Sequence, residues 1–416
     1  MGTQIQAVSE VDIGQTAPKL FTRLSCLDAV RGFGALWVLS FHVTHSQPGP
    51  IGLRYFITLP IDYAHLAFIY FVVISGFCIH LNAARSILLT GAPRQKWSDF
   101  WKRRIHRLYP PYLVAIAIAL ILRELVKSKS LFPHASPLIP DLAAHMIMIH
   151  NLIPQFINGV GNPPMWSLAL EEQLYALYSP LMMLRKRFSI EKISVITFLI
   201  GLVWVTVLSP LSGTTVRAER WWYFWPFTYW FAWTLGAFAV EIYVGTAKDK
   251  PIYHSFPLAL GLLAVGFMTS NPILGMFTKT NLFVSHFGTG LLPLICRLLV
   301  NTSNFIFVGA IFILTNKLVY AEKRGTPYRF PRIIFWLGTF SYSFYLIHEP
   351  VVRLIESYVG HGTSPVEIMF RYILIVPVCF ALSWIFFQLV EKRFLNKRQI
   401  AVPQQNSAIG ISSEKA

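Results

Sequence analysis

Acidic residues are scarce in this chain: 19 Asp and Glu stand against 36 Lys and Arg, and all charged residues make up only 13% of 416 positions. That is about half the charged fraction of a soluble domain. With 54% of residues hydrophobic, a water-soluble globule is excluded and a bilayer composition is left. Cysteine is almost absent. Cys26, Cys78, Cys296 and Cys379 lie in or beside apolar segments, without the C-x-x-C or Cys/His spacing of a zinc or redox site. They read as packing residues, and no metal is expected. Residues 1–20 lack the positive stretch and following apolar core of a cleavable signal peptide, so the N-terminus is expected to stay in the cytoplasm. Inverted internal repeats are not apparent, and no appended soluble domain is expected. The net charge of +17 would suit nucleic acid if the cations gathered on one face of a soluble module. They sit between apolar spans instead, so no nucleic-acid partner is expected and the charge reports membrane orientation.

What is present is a succession of apolar stretches, near 29–47, 62–85, 108–126, 165–184, 193–211, 223–245, 254–270, 302–319, 333–355 and 368–390. Each approaches the roughly 20 residues that cross a bilayer. They predict an all-α polytopic membrane protein with about ten transmembrane helices in one bundle, lipid being the expected surrounding. This domain is expected over 24–396, between a cytoplasmic segment 1–23 and a disordered cytoplasmic tail 397–416, which is polar and without period. In a ten-span count, four basic clusters fall on one side: Arg94 to Arg107, Arg185 to Lys192, Lys323 to Arg332 and Lys392 to Arg398. The positive-inside rule makes that side cytoplasmic. Counting 284–300 as a further span would put Lys323 to Arg332 outside, so that stretch is expected to be interfacial or re-entrant. The proline-rich stretch 127–164 is expected to loop over an external cavity. Trp221, Trp222, Tyr223 and Trp225 read as an interfacial aromatic belt, with a sugar-stacking platform as the alternative.

Ionisable groups inside spans are costly unless paired or solvated, which makes each a functional candidate. Arg31 and His42 in LDAVRGFGALWVLSFH are eleven residues apart, close to three helical turns, so they share a face about 16 Å apart along the axis. A guanidinium at the cytoplasmic mouth suits phosphates, and a deeper imidazole can act as a base. Alternatively, Arg31 snorkels and His42 bonds a neighbouring helix. Gly76 beside Ser75 in FVVISGFCIH reads as a site of close helix approach. In WKRRIHRLYPPY, Arg103, Arg104 and Arg107 lie i, i+1, i+4 and can hold phosphates, although orientation alone explains their charge. Glu171 and Glu172 fall about one turn inside the helix that starts after Pro164, where at least one should face a cavity or a cation. Glu172 shares a face with Tyr175, and Trp166 with Gln173. Ser341, Tyr345 and His348 form a polar stripe at i, i+4, i+7, read either as site residues or as helix-to-helix glue. Pro350 is expected to loosen the backbone nearby and leave Glu349 solvated.

These segments resemble the membrane-bound acyltransferase 3 family. The opening Arg and His, FVVISGFCI, RRIHRLYPPY, NPPMWSLALEEQLYALYSPL, and FSYSFYLIHEP with the later VEKRF follow the family's order and cover about 24 to 396. Ala29 stands where the family often has glycine. The resemblance implies an inner-membrane O-acyltransferase, stand-alone here, with His42 as catalytic histidine and Arg31 as its essential partner. It implies motif positions for Arg103, Arg104, Arg107, Glu171, Glu172, Tyr345 and His348. The expected donor is acyl-CoA, most simply acetyl-CoA, bound near Arg31 and the 103–107 cluster. The expected acceptor is a carbohydrate or glycolipid hydroxyl, contacted by Trp166, Glu171, Tyr175, Ser341 and Tyr345. His42 would act as general base or covalent acyl carrier, Glu171 or Glu172 would orient it, and Tyr345 and His348 would stabilise the oxyanion. The rival class is a secondary transporter or flippase, which also buries His, Arg and Glu in a bundle. It is disfavoured by the missing inverted repeats and paired broken helices.

Overall fold

A computed structural model describes residues 24–44, 59–126, 137–211, 223–270, 273–274, 291–359 and 364–395. Trp221, Trp222 and both terminal segments lie outside them. The described residues form twelve α-helices, short 3₁₀ turns and no strand, as all-α membrane architecture requires: with no water in the hydrocarbon, backbone groups must bond within their own segment. The helices are α1 Ser25–Thr44, α2 His65–Thr90, α3 Trp97–Leu125, α4 Leu138–Met146, α5 Trp166–Arg185, α6 Ile190–Leu211, α7 Pro226–Val244, α8 Phe256–Thr269, α9 Leu291–Lys323, α10 Arg332–Thr339, α11 Ser341–Val359 and α12 Pro365–Leu389. Helical segments at α1, α2, α3, α6, α9 and α12, six in all, are long and apolar enough to cross a membrane.

Three boundaries differ from expectation. Of the stretch 284–300, residues 284–290 lie outside the described residues, and 291–300 continues without a break into α9, a helix of 33 residues. The expected single span 333–355 is broken at Phe340 into α10 and α11. And α3 begins at Trp97, so the cationic segment is itself helical and runs through Pro110 and Pro111.

Two buried cores hold the bundle. One is built around α2, α5, α7 and α9, with Phe77, Tyr178, Trp233 and Phe307 among its fully buried side chains. The other lies among α1, α3, α11 and α12, around Leu39, Tyr112, Phe344 and Cys379. Helices α1, α3 and α5 contribute to both, so these three helices join the two cores. Contact across the first core is backbone to backbone. A Cβ at Gly76 would lie 2.0 Å from the Trp233 carbonyl, and one at Gly236 1.9 Å from that of Val73. Close approach at Gly76 was the packing reading of the sequence, and small residues permit it.

Between α3 and α5, residues 138–165 fold into a cap. Its Asp141 accepts from the Val160 amide at 3.0 Å and helps hold Val160 at a φ of 47°, which a β-branched side chain rarely adopts. The buried His145 and His150 rings stack at 3.6 Å. Burial, reinforced by the neighbouring His145, pushes the His150 imidazole down to about 3.

Candidate functional site

His42 lies in the last turn of α1, and its partner comes from α11: Nδ1 sits 2.8 Å from Glu349 Oε2. Glu349 is 3% exposed, which corrects the expectation that Pro350 would leave it solvated. A buried carboxylate needs ion-pair and hydrogen-bond partners to offset lost hydration. One helical turn on, Arg353 Nε donates to Glu349 Oε1 at 2.6 Å, so the two oxygens are divided between Arg353 and His42. With Nδ1 against a carboxylate, the proton resides there and Nε2 carries the lone pair, as in a base oriented by an acid. The imidazole keeps 22% of its surface accessible.

His348 packs beside it, ring centroids 5.2 Å apart. Its Nδ1 is 3.1 Å from the Phe344 carbonyl and 2.9 Å from that of Tyr345. Both are acceptors, so Nδ1 bears the hydrogen and Nε2 presents a lone pair; Nε2 is buried without a hydrogen-bond partner. Pro350 has a local effect of its own. Lacking an N–H, it releases the carbonyl four residues earlier, which is that of Leu346. Asn162 of the cap donates to this carbonyl at 2.8 Å, so the helix defect becomes the docking point of the 138–165 connection.

The other predicted residues gather elsewhere. Arg31 Nη1 contacts Asp28 at 3.2 Å, and Nη2 contacts Cys78 Sγ at 3.2 Å. Arg104 lies over the Phe100 and Tyr175 rings at 5.6 and 5.5 Å. Arg107 is within electrostatic reach of Arg104, Arg31 and Glu391. Three cations therefore converge around Arg107, and Arg103, one turn before Arg107 on α3, has an exposed side chain. Glu171 accepts from Ser75 at 2.7 Å and from Tyr175 at 2.5 Å, so Tyr175 bonds Glu171 rather than Glu172. Buried Glu172 lies in the fields of Glu171 and Arg104. Both carboxylates thus belong with the cationic cluster, and neither is the carboxylate that stands beside His42.

Tyr345 donates to the Pro164 carbonyl at 3.0 Å and pairs with the Ser167 hydroxyl at 2.7 Å. Ser341 donates to Gly338 O at 3.1 Å. These bonds tie α11 to the start of α5 and close the α10–α11 break, which is the glue reading of the stripe. Trp166 packs edge-on against Phe68 and Phe224, each at 4.8 Å. Glu391 of VEKRF accepts from the Ser343 amide and hydroxyl at the N-terminus of α11, where a carboxylate complements the helix dipole.

Sequence reasoning missed Glu349 and Arg353 as site residues. The available signal was the i, i+4 carboxylate–guanidinium spacing in HEPVVR, directly after an intramembrane histidine.

Comparison with known proteins adds the family. The chain is 25% identical over 368 residues to O-acetyltransferase OatA of Staphylococcus aureus, covering 82% of this chain and 56% of that protein. It is 24% identical over 359 residues to acyltransferase MdmB of Streptomyces mycarofaciens, covering 81% of each. It is also 23% identical over 402 residues to peptidoglycan O-acetyltransferase OatA of Listeria monocytogenes, covering 88% and 54%. The chain thus spans about half the length of the OatA proteins. No solved structure matches significantly. A family described as an acyltransferase domain matches residues 24–387, a range that contains the His42–Glu349 pair and the three converging arginines, and the chain accordingly belongs to the acyltransferase 3 family.

Proposed function

We propose that this membrane acyltransferase moves an acyl group, acetyl in the simplest case, from cytoplasmic acyl-CoA to a hydroxyl of a cell-envelope or exported carbohydrate or glycolipid. It would do so in a bacterial inner membrane with both termini cytoplasmic. The observation that carries the reading is the pairing of His42 with a buried, Arg353-clamped Glu349. An imidazole so held keeps Nε2 basic and directed, and the carboxylate stabilises the imidazolium that forms on proton uptake.

Arg31, Arg104 and Arg107 meet the donor's phosphates, for which guanidinium geometry is suited, with exposed Arg103 adding to the field at the mouth. Glu171 and Glu172 order this cluster. In direct transfer, His42 Nε2 takes the acceptor hydroxyl proton as the oxygen attacks the thioester carbon; the C–S bond then breaks and the departing thiolate takes the proton from the imidazolium. In the covalent variant, Nε2 itself attacks the thioester carbon, the C–S bond breaks and the thiolate leaves with a proton from solvent; the acceptor hydroxyl then attacks the acyl carbon, its proton passes to solvent, and the C–N bond breaks to free Nε2. The acceptor side is bounded by the cap and by the Trp166, Ser341 and Tyr345 elements that seat it. The test is mass spectrometry of envelope glycans and secreted glycolipids from a deletion strain. O-acyl groups should disappear and return with the wild-type gene but not with His42→Ala. An unchanged acylation profile would sink the proposal.

A further inference from the structure

The pocket between α1 and α11 holds more lone-pair donors than a general base requires. One ligand atom each of His42, His348 and Glu349 lies within 4.8 Å of the other two, and His42 Nδ1 and Glu349 Oε2 are 2.8 Å apart. His348 is 1% exposed, and its Nε2 has no hydrogen-bond partner. A buried nitrogen in that condition has lost its hydration without compensation.

The atoms behind these donors are arranged as metal ligands require. The Nδ1 of His348 is tied to the Phe344 and Tyr345 carbonyls, which fixes the tautomer that presents Nε2. The second oxygen of Glu349 is clamped by Arg353, which leaves Oε2 facing the pocket. Such outer contacts orient and tune metal-binding imidazoles and carboxylates. Two imidazoles and one carboxylate match a zinc-type set of three protein ligands with an open fourth position. Bonds near 2.1 Å in a tetrahedron put ligand atoms about 3.4 Å apart. His42 Nδ1 and Glu349 Oε2, at 2.8 Å, are closer than that, so the adjustment falls to the His42 ring, the ligand with the most accessible surface.

We propose that His42, His348 and Glu349 form a divalent-cation site of the zinc class whose occupation inhibits acyl transfer. Zinc takes the Nδ1 lone pair of the other neutral tautomer of His42, whose single ring proton then sits on Nε2, so Nε2 no longer offers a lone pair and Glu349 no longer backs the ring as a base. Binding stands on the geometry alone; inhibition also rests on the acyl-transfer reading above.

The test uses the full chain in detergent or nanodiscs, stripped with chelator and titrated with ZnCl₂. Bound metal is read by competition with a chromophoric chelator, and acyl transfer is followed in parallel. One zinc per chain should bind, transfer should fall with the same midpoint, and EDTA should restore it. His348→Gln should weaken zinc at least tenfold. Arg353→Gln, which removes only an outer contact, should weaken it about 10- to 100-fold and guards against misfolding of the first variant. Absence of stoichiometric zinc, or wild-type zinc affinity in both variants, overturns the site. Zinc bound through these residues with transfer unchanged or stimulated overturns the inhibition. Variant-sensitive zinc binding in a chain that transfers no acyl group would support the site while refuting the acyl-transfer reading, and the inhibitory role would fall with it.

Discussion

The chemistry of His42 depends on what stands behind it. A solvated histidine at the edge of a span would be an indifferent base, whereas one whose Nδ1 faces the buried Glu349 carboxylate at 2.8 Å has a set tautomer and a stabilised conjugate acid. His42→Gln keeps volume and some hydrogen bonding but takes no proton at neutral pH. It should lower acyl transfer by about 10²- to 10⁴-fold with membrane insertion near wild type. Glu349→Gln should fall in the same range, since an amide no longer stabilises the imidazolium. Transfer above about a tenth of wild type in His42→Gln would remove His42 from the chemistry. At the donor end, Arg31→Lys retains charge but loses the planar fork that grips phosphate. We expect a higher KM for acyl-CoA with little change in kcat, and an unchanged KM would reassign Arg31 to anchoring.

Among the elements, the 138–165 cap couples most directly to the site, because its Asn162 occupies the carbonyl freed by Pro350 one residue from Glu349. The cap is also where titration and folding meet outside the spans. His150 is held down to about 3 by burial, while in the unfolded chain it titrates near its ordinary 6.5. Its folded form therefore stays neutral where the unfolded form binds a proton. The stability it contributes is complete above about pH 6.5 and is lost as pH falls toward 3, by up to about 1.4 kcal/mol per unit. Limited proteolysis or hydrogen exchange across 138–165 should show the cap loosening over that window. His150→Phe, which keeps a flat ring stacked on His145 but carries no proton, should flatten the dependence. The same acid sensitivity in this variant would count against the assignment.

For the whole molecule, the decisive quantity is orientation. Cysteine labelling or reporter fusions at Lys96, Lys186, Arg324 and Lys397 should place all four in the cytoplasm, because the basic clusters fall on one side of a ten-span count. Finding Arg324 outside would break that count. It would also move the start of α10 and α11, and with it the approach to Glu349, to the wrong end of the bundle. The continuity of α9 through 291–323 makes this measurement pointed, since the expected interfacial element was what kept Arg324 inside.

The sequence by itself determined what depends on composition and on one helix at a time. Apolar stretches set the membrane class, because bilayer thickness demands them. The eleven-residue spacing put Arg31 and His42 on one face of α1, because helical pitch is fixed. Gly76 marked a close crossing, because only a missing Cβ admits a carbonyl at 2.0 Å. Only the tertiary structure decided which carboxylate serves His42. Glu171 and Glu172 look equally available in the sequence, yet packing turns them toward Ser75, Tyr175 and Arg104 and brings Glu349 from the far end of the chain. The same holds for the break at Phe340. Charge pairing between helices follows from how the two cores meet, and no periodicity within a single segment records that meeting.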